Sequence, residues 1–138
     1  RMQFFVYGNP QGKGRARTVR NKYTGKVHSF TPEKTQNYED LIRWAYKDAS
    51  GKYFGEQPLR IDISAYFPIP QSFSKKKRAE AFTGQLKPTK KPDCDNIIKV
   101  VLDALNGVAY HDDKQVTGVS CIKFYAETGY LSIQIQEL

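Results

Sequence analysis

Asp93, Asp95, Lys99, Asp112 and Asp113 are of the types, and at the spacing, that hydrolysis of a phosphate ester needs. Asp93 and Asp95 flank Cys94 directly after Pro92. A proline disfavours helical geometry in the residue before it, here Lys91, so the two acids fall at a loop-to-helix junction. In an extended Asp-x-Asp the side chains point the same way, and two carboxylates on one side can share a hard cation such as Mg²⁺. Lys99 lies one turn beyond Asp95 on the same helical face. There its ammonium can meet a scissile phosphate or a leaving oxygen. Asp112-Asp113 follow soon after the helix ends, and a short return would bring them beside the first pair. Carboxylates gathered in this way repel one another unless a cation joins them. One or two such ions can activate water and stabilise a leaving 3′ oxygen.

Each of these residues also has a plainer reading. Aspartate is a favoured N-cap, and Asp95 taken alone would be one. Asp112-Asp113 taken alone would be a turn. Asp103 is expected to pair with Lys99, one turn away, and hold it in place. His111, isolated in a turn, is expected to be solvated. The two cysteines, Cys94 and Cys121, belong to no Cys/His cluster, so no zinc site is expected. Free thiols in a reducing cytoplasm are the expectation.

The charge around the acids suits a polyanion. The chain has 138 residues, with 22 Lys and Arg against 14 Asp and Glu, a net charge of +8. The bases concentrate in two stretches. Lys13, Arg15 and Arg17 sit in a glycine-containing loop, and Lys75 and Lys76, then Lys90 and Lys91, precede the acids. All seven are expected to contact DNA phosphates. The loop is not a P-loop, because the GxxxxGK[ST] spacing is absent. With 39% apolar and 26% charged residues the composition is globular, not disordered. No apolar run reaches the ~18 residues a membrane span requires. Met2-Gln-Phe-Phe-Val leads into a strand and not into a long apolar leader, so the expected compartment is the cytoplasm.

The run K-P-D-C-D-N-I-I-K-V-V-L-D-A-L-N-G-V-A-Y-H-D-D-K-Q-V, Lys91 to Val116, resembles the RusA family of Holliday-junction endonucleases. The Gly12-Lys-Gly-Arg-Ala-Arg loop and Thr31-Pro32 look like the family too, so the resemblance extends loosely over most of the chain. It implies a homodimer that cuts four-way DNA junctions symmetrically with Mg²⁺ or Mn²⁺. On that resemblance the catalytic and metal-binding acids are Asp93, Asp95 and Asp113, the functional lysine is Lys99, and Asp112 is the neighbouring acid at the metal. Two readings stand beside this one: a non-catalytic, structure-selective DNA-binding protein, and a nuclease acting on RNA or flaps.

The elements that must position these residues can be read from periodicity. Phe4–Tyr7 is expected to be a strand and Val27–Phe30 half of a hairpin. Thr31 and Pro32 are expected to start a helix whose apolar face is Tyr38, Leu41, Ile42, Ala45, Tyr46 and Ala49, ended by Gly51. Tyr38, Trp44 and Tyr46 belong in the core or at a dimer interface. Leu59–Phe67 alternates as a half-buried strand closed by Pro68 and Pro70. Ser74 is expected to cap a short basic helix through Phe82. A second main helix, Asp95 to Asn106, buries Ile97, Ile98, Val101, Leu102 and Leu105, with Gly107 left-handed after its end. Val108–Tyr110 is expected to be a short strand, and Val116–Tyr125 with Tyr130–Gln136 a strand pair joined at Gly129. The sum, over residues 2–138, is one α+β domain with two main helices packed on a mixed sheet.

Overall fold

The structure is a computed structural model that describes residues 1–14, 17–30 and 33–138. Four strands make the main sheet: β1 (Met2–Tyr7), β4 (Leu59–Pro68), β5 (Val116–Ala126) and β6 (Tyr130–Glu137), in the order β1-β6-β4-β5. Strand β4 is antiparallel to β6 and parallel to β5, so the sheet is mixed. A separate hairpin joins β2 (Arg17–Arg20) to β3 (Val27–Phe30). The helices are α1 (Glu33–Asp48), α2 (Lys75–Phe82) and α3 (Cys94–Leu105). The domain is α+β, as the periodicity indicates.

Strict alternation decides which face of the sheet is covered. Phe4 and Val6, Leu59, Ile61, Ile63, Ala65 and Phe67, and Leu131, Ile133 and Ile135 are all buried on one side. Onto them α1 sets Tyr38, Ile42, Ala45 and Tyr46, and α3 sets Ile97, Val100, Val101, Ala104 and Leu105. Ile98 and Leu102 are only half-buried, and Leu41 is exposed. The other face carries no helix. Across it runs a row of rings, with Tyr130 stacked on Tyr66 at 4.3 Å and Tyr66 on Phe124 at 5.3 Å, while Phe5 and Tyr7 close on Tyr130. No helix among the described residues is long and apolar enough to cross a membrane.

Four local expectations change. Strands β5 and β6 are not partners, because β4 lies between them. Their short connection arches over the end of β4, where Ile69 N donates to Ala126 O at 3.0 Å. Gly129 lets that arch press on the β1 end. A Cβ there would sit 2.8 Å from Asn9 Cα, and Gly8 N donates to Gly129 O at 3.0 Å. The apolar alternation of β4 is best buried at the sheet centre, and this outweighs the local hairpin preference. Val108–Tyr110 is not a strand, since only a single bridge joins Asn106 to Tyr110. Helix α3 begins at Cys94, one residue earlier than expected, so its cap is Asp93 and not Asp95. The fourth change, at Asp103, belongs to the site. Gly107 is left-handed after α3 (φ 77°), as expected. Ser74 caps α2, its hydroxyl accepting from Lys77 N at 3.1 Å. Thr31 and Pro32 lie outside the described residues.

Candidate active site

Helix α3 carries two exposed acids at its head. Asp93 occupies the N-cap with extended backbone (φ −72°, ψ 157°), yet its carboxylate makes no capping hydrogen bond. A capping aspartate normally satisfies one of the first helical N–H groups. Asp93 does not, so its carboxylate is left to solvent or to a ligand. Asp95 follows in the first turn, also exposed, and Lys99 one turn on. Lys99 is exposed and forms no ion pair among the described residues. The apolar side of the same helix is locked into the core, which holds the polar side fixed.

Past the other end of α3 lie Asp112 and Asp113, where the chain makes a single 3₁₀ turn, Asp113–Gln115, before β5. Asp112 is the acid that the backbone uses. Its carboxylate accepts from Lys114 N at 3.0 Å, and Gln115 Oε1 accepts from Asp112 N at 2.9 Å, a complete capping box. Gln115 also donates to Gly55 O and Gln57 O, each at 2.8 Å, clamping the turn to the loop before β4. The amide of Lys114 holds the Asp112 carboxyl below the usual carboxylate range. Asp113 goes the other way. Partial burial pushes its carboxyl up, and the adjoining Asp112 and the charge of Asp103 push it further. Next to it Tyr110 is buried, its hydroxyl donating to Leu102 O at 2.7 Å. Burial raises this phenol first, and the charges of Asp113, Asp103 and Asp112 add to the shift.

Asp103 was expected to hold Lys99. It holds Lys13 instead: Lys13 Nζ lies 3.2 Å from Asp103 and 3.0 Å from the buried Glu39 on α1. Burial alone would lower the Lys13 pKa, but the two carboxylates keep it raised. Lys13 therefore braces α1 against α3, with its side chain still 21% exposed. No spacing rule reveals a partner that arrives from a loop about 90 residues away. The same loop is fastened by Lys13 N donating to Asn96 O at 3.1 Å and Gly14 N donating to Thr35 Oγ1 at 3.0 Å.

The described residues contain no group of three His, Cys, Asp or Glu side chains placed to hold one metal ion. Asp93 and Asp95 open α3, and Asp113 stands near Asp103 in its last turns. Ten residues of helix separate those ends by about 15 Å. What exists is two acid pairs. Carboxylate oxygen is the donor chemistry of hard cations, and Mg²⁺ typically takes one or two carboxylates, with water and substrate phosphate filling the rest. Either pair fits that limited demand, whereas a closed three-acid cage is not formed. Arg15 lies outside the described residues, and of Arg17 only the backbone place in β2 is described. Lys75 and Lys76 open α2, and Lys90 and Lys91 precede α3, all exposed. The sequence assigns no separate role to Lys34 or Gln115, in the case of Gln115 because its partners Gly55 and Gln57 are distant along the chain.

A mixed sheet with helices on one face, and paired carboxylates at both ends of α3, define a small α+β domain. The model of the family described as endodeoxyribonuclease RusA matches residues 7–136, and the chain belongs to that family. It is also similar to the uncharacterized protein YqaN of Bacillus subtilis (strain 168), with 38% identity over 140 residues, 99% of this chain and 96% of that one.

Proposed function

We propose that this protein is a divalent-metal-dependent endodeoxyribonuclease that resolves four-way DNA junctions by paired phosphodiester hydrolysis, acting as a homodimer in the cytoplasm. The observation that supports it most is Asp93, an N-cap acid whose side chain caps nothing, beside Asp95 and ahead of Lys99, which forms no ion pair among the described residues. Asp93 with Asp95, and Asp113 with Asp112 adjoining, would each hold Mg²⁺ or Mn²⁺ as a pair of carboxylates, with water and phosphate oxygens completing the shell. The ion, when bound, polarises water and offsets charge on the phosphate. Lys99 Nζ donates to a non-bridging phosphate oxygen, where its charge counts most as negative charge builds. Lys75, Lys76, Lys90, Lys91, Arg15 and Arg17 meet the backbone and set the register of the DNA without reading sequence.

A labelled four-way junction and a matched linear duplex, each in EDTA, Mg²⁺ and Mn²⁺, test this reading. The expected result is paired, metal-dependent nicks in the junction alone. Cutting of both substrates keeps the nuclease and removes the junction specificity. The non-catalytic reading draws on one observation, the lack of a three-acid set among the described residues. Tight junction binding with no nick in either metal would favour it.

Pairing of two copies is best served by the helix-free sheet face. Copies that each carry +8 repel one another, so they meet most easily where charges are few. On the strand residues of this face the charged side chains are Arg60 and Asp62, paired at 3.0 Å, with Ser120 donating to Asp62 at 2.6 Å; beside them Arg1 donates to Gln134 Oε1 at 2.9 Å and Lys87 lies over the Phe124 ring. Burial works to raise the Asp62 carboxyl, but Ser120 and Arg60 outweigh it and hold it low. Phe5 and Ile122 are 43% and 51% exposed there. Light scattering after gel filtration is expected to show a dimer at micromolar concentration. Phe5→Glu with Ile122→Glu is expected to give a folded monomer. A variant that stays dimeric would move the interface elsewhere.

A further inference from the structure

We propose that the cleft between the glycine loop and the heads of α1 and α3 receives one unpaired nucleotide of the strand being cut. The inference rests on the endonuclease reading above and adds a binding subsite to it. The cleft measures about 390 Å³ and adjoins the acids, since Pro92, one of its walls, precedes Asp93. That volume is in the ~300–1,000 Å³ range of small-ligand sites. It is too small for a duplex and adequate for a single base with its sugar.

The walls are set in advance. Gly12 packs so closely on α3 that a Cβ would lie 2.8 Å from Asn96 Cβ and 3.0 Å from Pro92 Cβ. Only glycine keeps the loop seated without pushing α3 away. The bonds from Lys13 N to Asn96 O and from Gly14 N to Thr35 Oγ1 fix the loop to both helices. Pro92, half-buried, offers apolar surface for the base, with the buried Pro10 in the wall behind it, and Lys34 and Lys91 line the same cleft. Both lysines are exposed and make no ion pair among the described residues, so their charge is available to phosphates. A second cleft of about 450 Å³ shares Gln11 and Lys34 with the first and continues along α1 to Leu41. The two together make a path for a strand, not a seat for one ion.

A nucleotide can enter only by leaving its stack, which costs a few kcal/mol in intact duplex and less where stacking is already broken. A branch point is such a place. The cleft therefore favours branched over linear DNA by structure, without base-specific contacts.

The test is binding in EDTA, where no cutting intervenes, to junctions carrying 2-aminopurine either at the branch point or inside an arm. This base brightens when unstacked. The wild-type protein is expected to brighten the branch-point probe several-fold and to leave the arm probe unchanged. Lys34→Ala with Lys91→Ala is expected to lower the slope of log K against log salt by about 1.4, for two single-strand phosphate contacts. Gln11→Trp fills the cleft without changing charge; it is expected to abolish the brightening and to cut the preference for branched over linear DNA roughly tenfold. Wild-type binding without brightening overturns the subsite even if the junction is cut. So do variants that keep both the brightening and the preference. A wild-type protein that neither binds nor cuts the junction overturns the endonuclease reading and the subsite with it.

Discussion

Asp113→Asn is expected to lower junction cleavage in Mg²⁺ by roughly 10³-fold in single-turnover rate, while binding in EDTA stays within about threefold. Asparagine keeps the shape of the side chain and removes its charge. The two acids of this turn differ in what already holds them. Asp112 is engaged by Lys114 N and serves the capping box. Asp113 meets a second carboxylate and the charge of Asp103, and its own carboxyl is raised by burial and by both. A cation would relieve that repulsion, and a neutral amide relieves it as well. The variant should therefore melt no lower than the wild type, which separates lost chemistry from lost fold. Asp112→Asn retains an oxygen for the cap and is expected to lose less activity. Asp93→Asn should match Asp113→Asn, since its carboxylate has no structural partner to lose. If Asp113→Asn cuts at the wild-type rate, Asp113 is not an active-site acid.

Ile97→Ala is expected to cost about 2–5 kcal/mol, a large part of the ~5–15 kcal/mol that holds a domain of this size. Ile97 is fully buried, and its amide takes the first bond of α3, donating to Asp93 O at 3.0 Å. Truncation opens a cavity beneath the turn that presents Asp93 and Asp95, between sheet and helix, where neither side can collapse far. Urea unfolding should show a lower midpoint at unchanged slope, with a melting temperature lower by about 10 °C. Ile98→Ala is the internal comparison. It is the next residue but only half-buried, and is expected to lose less than half as much. Equal losses at the two positions would mean that α3 does not present the face described.

Ile97 and Ile98 also show how far periodicity reaches. Both were assigned to the buried face of α3, and the helix is indeed there, but the face turns toward Val100 and Ala104, leaving Ile98 and Leu102 half-buried. The 3.6-residue repeat identifies a helix and its apolar side, whereas the final rotation is set by what packs against it. At β5 and β6 the strands were legible and their pairing was not. Each alternates, but β4, with buried residues at every second position, takes the place between them.

The candidate site divides along the same line. Local sequence determined that Asp93 and Asp95 would stand at the head of a helix, that Lys99 would follow one turn later, that Gly107 would end the helix, and that Asp112-Asp113 would come in a turn soon after. Each depends on backbone preferences a few residues long: the restriction before proline, the helical repeat, the left-handed freedom of glycine. Only the tertiary structure decided that Asp103 would be claimed by Lys13 instead of Lys99, that Gln115 would clamp Asp112 while Asp113 faced another acid, and that Lys34 and Lys91 would line one cleft with the Gly12 loop. Those outcomes depend on side chains that approach from remote parts of the chain. Burial and electrostatics choose among such partners only once the sheet and both helices are in place.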